Sequence, residues 1–207
     1  MIERVQVMDV FAENAYFYID PKTRQGFLID PGAEPQRLYE MIINNRLEIQ
    51  AILLTHGHFD HTGAIADLHR KLGLPYYISP PGQAYLTDPA LNLSAECGRY
   101  SVLREAQFLN DGDWVSVPGN PEFGLRVIST PGHTPDSVTY YSEKDNAAFV
   151  GDTIFRGSAG TTQFPGGNQP DLYNSIMNKI LTMPDNTTLY SGHTPPTTVG
   201  WEKPSYY

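Results

Sequence analysis

The chain is poor in cysteine, in positive charge and in long apolar runs. Its single cysteine, Cys97, excludes an intrachain disulfide framework and fits a reducing compartment. Lys and Arg number 14 against 23 Asp and Glu, a formal charge of −9. Nucleic-acid binding rests on clustered cations, so a phosphate backbone is excluded as partner. No apolar stretch reaches the roughly 18 residues a membrane helix needs, so no membrane span is expected. The opening residues, Met-Ile-Glu-Arg-Val-Gln-Val, carry neither the basic nor the apolar region of a secretory signal. The expectation is a cytoplasmic protein acting on a small molecule.

What is present is an ordinary globular composition, 40% hydrophobic and 18% charged over 207 residues. Short β-branched or aromatic runs predict strands over 5–11, 15–19, 26–29, 51–55 and 75–79. Further strands are predicted over 114–117, 125–129, 137–141, 147–150 and 188–190. Apolar residues at helical spacing predict helices over 35–46, 63–72 and 171–181. Residues 80–112 show little periodicity beyond a short helix near 83–87. The chemistry-bearing residues come from both halves of the chain, so one domain over 1–207 is expected.

Four of the predicted strands end in the same way. Residues 55–61 read Thr-His-Gly-His-Phe-Asp-His, and Gly132-His133, Gly151-Asp152 and Gly192-His193 follow later apolar runs. Small neighbours let the backbone turn sharply, and ligands on strand-end loops can converge over a rigid scaffold. Five of the six histidines fall into this set. Imidazole and carboxylate together suit zinc first, with iron or manganese as alternatives.

His56 and His58 stand two apart and can reach one ion from an extended loop. His61 breaks that spacing, which calls for a second ion. His56, His58 and His133 are expected to hold one; Asp60, His61 and His193 the other; and Asp152 to bridge them. Two such divalent ions can share a water and lower its pKa towards neutrality, giving a bridging hydroxide as nucleophile. Asp60 and Asp152 are the carboxylates expected to work at the reacting centre. His69 lies beside Arg70 and Lys71 and is expected on the solvated surface. Cys97 is expected to be a packed small side chain.

The Thr-His-x-His-x-Asp-His stretch at 55–61, followed in order by His133, Asp152 and His193, resembles the metallo-β-lactamase superfamily from the first strands to His193. The resemblance implies an α/β (α+β) fold, a four-layer αββα sandwich with its metal site along one edge. Asp152 stands where some zinc β-lactamases carry Cys, and it is similar to the glyoxalase II (hydroxyacylglutathione hydrolase) type. Gly151-Asp152-Thr153-Ile154-Phe155 and Phe164-Pro165-Gly166-Gly167 resemble the short bacterial glyoxalase II-like hydrolases. This implies a thioester hydrolase, with Phe155, Arg156 and Thr161 as candidate substrate contacts.

Two departures bear on the substrate. Glyoxalase II continues into a helical glutathione-binding region, whereas this sequence ends 14 residues after His193. Related sequences often read Gly-Arg-Thr-Asp where this one reads Gly160-Thr161-Thr162-Gln163, so a cation suited to a glutathione carboxylate is missing. Three other readings compete. An iron-dependent persulfide dioxygenase of the same superfamily would hold one iron through the positions of His56, His133 and Asp152. A lactonase or phosphodiesterase would use the same fold and ions. A non-enzymatic, metal-stabilised binding module is the third, but structural zinc cages are closed and usually Cys-rich.

Overall fold

The computed structural model describes residues 1–206. The first half contains β1 (Ile2–Met8), β2 (Ala12–Ile19), β3 (Gln25–Ile29), α1 (Pro35–Asn44), β4 (Glu48–Leu53), α2 (Phe59–Thr62), α3 (Ile65–Leu72), β5 (Tyr76–Ile78), α4 (Gly82–Thr87) and β6 (Gln107–Phe108). Its six strands form one sheet in chain order, antiparallel from β1 to β3 and parallel from β3 to β6. The second half contains β7 (Trp114–Val117), β8 (Asn120–Ser129), β9 (Val138–Ser142), β10 (Ala147–Gly151), β11 (Ile154–Phe155), β12 (Ser158–Ala159), α5 (Gln169–Ser175), β13 (Thr188–Ser191), β14 (Thr197–Thr198) and α6 (Val199–Glu202). Its main sheet runs β14-β13-β10-β9-β8-β7, with β11 and β12 as a separate hairpin.

The period of two along a strand sorts side chains between layers. On β2, Ala15, Phe17 and Ile19 face α1, α3 and α4, where they meet Leu38, Ile42, Ile65, Leu68 and Leu86. Tyr16 and Tyr18 of the same strand point the other way, into the space between the sheets, with Leu125, Tyr140 and Phe149. On β10 the alternation repeats: Phe149 faces the other sheet, while Ala148 and Val150 face Leu172, Ile176 and Val199 of the outer helical layer. Central strands therefore read as continuously apolar, because both faces are covered. The result is the expected αββα sandwich.

The helices start and stop for local reasons. Pro35 opens α1 without losing a needed donor. Gly73 closes α3 in the left-handed region, φ 67°. The Asn168 side chain accepts from the Asp171 amide at 3.1 Å and caps α5, which continues as a wider π turn over Ile176–Ile180. No helix among the described residues is long and apolar enough to cross a membrane.

Several boundaries differ from the sequence expectation. β1 spans Ile2–Met8 rather than 5–11, so Val10 and Phe11 lie in an exposed turn. The strand expected over 51–55 begins at Glu48 and stops at Leu53, which frees Thr55 for a loop. The helix expected over 63–72 starts at Ile65, and a separate single turn, α2, carries Asp60 and His61.

Candidate metal centre

Four strand ends deliver the polar side chains to one edge of the sandwich. His56 and His58 follow β4, and Asp60 and His61 sit on α2 just beyond. His133 follows β8, Asp152 follows β10 and His193 follows β13. The last two are neighbours because β10 and β13 pair in parallel. The backbone must approach closely here. A Cβ at Gly192 would lie 2.5 Å from both Asp152 Oδ1 and His61 Cε1. Gly151 turns in the left-handed region at φ 50°, where a Cβ would meet the Thr55 hydroxyl at 2.3 Å.

The seven residues singled out in the sequence come together as two abutting groups. His56 Nε2 and His133 Nε2 each lie 3.1 Å from His58 Nδ1. In the second group, His193 Nε2 lies 3.3 Å from Asp60 Oδ2 and also 3.3 Å from Asp152 Oδ2. Asp152 faces both groups: Oδ1 is 3.5 Å from His61 Nε2, and Oδ2 is 3.7 Å from His133 Nε2. Donor atoms of His56, His58 and His133 lie within 4.8 Å of one another, as do those of Asp60, His61 and His193.

The outer ring nitrogens are tied to neighbours, which orients the inner ones. His133 Nδ1–H donates to the Thr161 carbonyl and His193 Nδ1–H to the Ala12 carbonyl, both at 2.7 Å. His56 Nδ1–H meets the Thr55 hydroxyl at 3.1 Å, and that hydroxyl donates to Asp30 at 2.6 Å. His61 Nδ1–H donates to Asp30 Oδ2 at 3.1 Å. The Nε2 atoms of His56 and His133 are then both acceptors aimed at His58 Nδ1. One proton on His58 satisfies only one of them. Buried His61 Nε2 and Asp152 Oδ1 have no hydrogen-bond partner at all. Convergent lone pairs with too few protons are what a divalent cation satisfies, so the donor set fits one.

In the first group the electrostatics favour the same species. Burial pushes His58 down to about 3 and His56 well below the usual imidazole range, with neighbouring imidazoles adding to both shifts. Neutral imidazole is the ligating form. Burial works to raise Asp152, but His61 and His193 outweigh it and hold the carboxyl well below its usual range. In the second group burial opposes charge on His193 and His61, yet Asp152 and its neighbouring carboxylates lift His193 to about 10 and His61 well above the usual range, so positive charge is favoured there, as a proton or as a cation that displaces it.

Two acids in this network were not singled out by sequence. Asp30 anchors Thr55 and His61, and Glu13 is buried 3.8 Å from His61 Nδ1. Burial pushes the Glu13 carboxyl well above its usual range. Asp30 had a readable signal: it follows an apolar strand and stands near a glycine, the pattern of the other four sites. Glu13 sits within a strand and had none.

A cavity of about 280 Å³ opens over the donor atoms, lined by Phe11, Phe59, Leu93, Phe155, Thr161 and Phe164 as well as by members of the two groups. Phe155 and Thr161 thus stand where a substrate contact would. Arg156 does not line it; its guanidinium lies 5.3 Å from the Trp201 ring centre, beside a separate hollow. His69 is away from the cluster and only half-exposed, its Nδ1–H donating to the Leu74 carbonyl at 2.7 Å. That bond and the Tyr76 ring hold it against the fold rather than in open solvent. Cys97 is half-buried.

Asp136 lies behind the centre, against Gly57 and Gly82. Burial pushes its carboxyl up to about 6. The unfolded value is about 3.9, so the folded chain keeps a proton that the unfolded chain releases. The group's stabilising contribution is complete below about pH 4 and is lost as pH rises through 6. Asp136→Asn is therefore expected to gain about 2–3 kcal/mol relative to wild type between pH 4 and pH 8. Urea unfolding at both pH values measures this; an unchanged difference would contradict it.

The metallo-β-lactamase superfamily model matches residues 8–193. A probable metallo-hydrolase of Bacillus subtilis, YqgX, is 39% identical over 90% of this chain and 87% of its own length. The hydroxyacylglutathione hydrolase GloC of Haemophilus influenzae is 31% identical over 94% of this chain and 92% of its own. Among solved structures, the BLEG-1 B3 metallo-β-lactamase superposes with a TM-score of 0.92 at 35% identity, covering 99% of this chain and 97% of that one. TTHA1623 in a di-iron-bound form gives 0.86 at 33%, covering 97% and 96%. The edge-on cluster of imidazoles and carboxylates in an αββα sandwich, together with these matches, places the chain in the metallo-β-lactamase superfamily.

Proposed function

We propose that the protein is a metal-dependent hydrolase that cleaves a thioester. The observation that carries this reading is Asp152, whose carboxylate lies within 3.7 Å of ligand atoms in both groups. In this reading His56, His58 and His133 would hold one divalent ion, Asp60, His61 and His193 would hold a second, and Asp152 would serve both. Zinc, iron and manganese all suit the donors; TTHA1623, similar over nearly its whole length, takes two irons. A pair of such ions supplies Lewis acidity and a water of lowered pKa.

The chain's own groups do the rest. Thr55, Thr161 and the Ala12 carbonyl hold the imidazole rings in the tautomer that presents a lone pair inward. Asp30 stiffens His61 from behind. Phe59, Phe155 and Phe164 give the donor side of the cavity apolar walls, and apolar walls strengthen the electrostatic interactions beside them. Asp60 and Asp152 provide negative charge that neutralises the ions. Similarity to the hydrolase GloC supports a thioester as substrate.

Elemental analysis of protein purified without added metal tests the reading. About two divalent ions per chain are expected, with thioester hydrolysis lost on chelation and restored by metal. A ceiling of one iron, full activity, and oxygen consumption with a persulfide would overturn it in favour of a dioxygenase.

A further inference from the structure

We infer that the cavity selects thioesters whose acyl and thiol portions are neutral and apolar, rather than the anionic peptide of a glutathione thioester. This rests on the hydrolase reading and narrows it. The reaction is ordinary hydrolysis: water adds its oxygen to the acyl carbon, the C–S bond breaks, and the thiolate sulfur takes up the remaining proton.

The walls around the donor atoms carry the inference. Phe164 sets its ring edge-on to His58 and His133, at 5.7 and 6.2 Å between centres. Phe155 stands 6.0 Å from His193 on the opposite side. Phe11 packs on Phe59 at 6.2 Å. A carbonyl placed over the ligand atoms therefore has aromatic surface on either side. Phe11 and Phe164 remain 51% and 38% exposed, and large apolar side chains left open at the rim of a cavity mark a binding surface.

Apart from the ions themselves, whose charge Asp60 and Asp152 offset, no side-chain cation lines the cavity to meet a remote carboxylate. Among the residues lining the cavity, none is Lys or Arg, and the carboxylates are Asp60 and Asp152. Arg156 is turned onto Trp201. Arg99, across the Phe59 side, is paired with Asp9 at 2.6 Å. Glutathione carries two carboxylates, and the chain as a whole carries −9. The cavity of about 280 Å³ is also small. It fits a short alkyl chain or one aromatic ring, below the roughly 300–1,000 Å³ of sites for drug-sized ligands. A tripeptide would lie mostly outside it, beyond the aromatic walls.

The test is a series of acetyl, butyryl, hexanoyl and benzoyl thioesters of N-acetylcysteamine, a neutral thiol, set against S-lactoylglutathione on metal-loaded enzyme. For the aliphatic members kcat/KM is expected to rise roughly three- to fourfold per methylene until the cavity fills. Lactoylglutathione should fall at least tenfold below the butyryl ester. Phe11→Ala and Phe164→Ala should each lower the hexanoyl-to-acetyl ratio severalfold, and Arg156→Ala should leave the whole series unchanged. A flat series, or a preference for lactoylglutathione, overturns the inference while leaving the hydrolase reading intact. Failure to cleave any thioester with both ions bound removes the hydrolase reading instead. Calorimetry separates the two without turnover. N-acetyl-S-hexylcysteamine should bind at least tenfold more tightly than S-methylglutathione, and the reverse order refutes apolar selection whatever the activity.

Discussion

Asp152→Asn should lower thioester turnover by on the order of 10²–10³ or more while leaving the fold in place. The substitution keeps the shape of the side chain but removes the charge. It also puts an N–H₂ donor in place of one carboxylate oxygen, facing either His61 or His193, whose Nε2 atoms lie 3.5 and 3.3 Å from the present Oδ1 and Oδ2. Only one uncharged oxygen is left to serve the two proposed ion positions. Circular dichroism should be unchanged and metal content reduced. His69→Ala is the control: it loses the bond to the Leu74 carbonyl and the contacts with Tyr76 and Glu105, about 1 kcal/mol of stability, and no turnover. Equal hydrolysis by the two variants would refute the proposed assignment of the site.

The largest stability effect should come from Phe149→Ala. Phe149 is fully buried on β10 between the sheets. Its ring meets Tyr16 and Tyr18 edge-on at 5.5 and 5.8 Å and stacks on Tyr190 at 5.2 Å. Truncation removes transfer energy and leaves a void that strands on both sides cannot close, at a cost of about 3–5 kcal/mol. With roughly 2–4 °C per kcal/mol at this chain length, Tm should fall by about 6–20 °C. A shift of only one or two degrees would mean that the two sheets are not held by this layer.

The layers and the cluster were legible for different reasons. Strands such as β2 to β4 and β10 are apolar on both faces because both faces are covered, and continuous apolar runs are easy to find. The ligand pattern was legible because chemistry constrains residue type: few roles other than ion binding put His or Asp beside Gly at four strand ends. Legibility failed where function overrides pattern. Val10 and Phe11 read as strand because they are apolar, but Phe11 lines the cavity and belongs to a turn. Residues 80–112 defeated periodicity because side chain-to-backbone bonds order part of them. Asn92 donates to the carbonyls of Tyr85 and Ser101, at 2.9 and 3.0 Å, and such bonds leave no repeat in the sequence. Asp30 has its partners at Thr55 and His61, 25 and 31 positions away, a pairing that no local pattern reveals.

The ligand atoms are divided between the sheets: His56, His58, Asp60 and His61 follow a strand of the first, while His133, Asp152 and His193 follow strands of the second. Any ion held among them is a rivet through both halves of the sandwich, set at the margin where the sheets would first part. Occupancy and cohesion are then one equilibrium. An ion at a hundred times its dissociation constant adds about 2.7 kcal/mol against unfolding, and prying the sheets apart must expel it. Scarcity of metal in the surroundings would thus shorten the lifetime of the folded chain as well as silence it, so that idle molecules are also the ones most open to proteolysis.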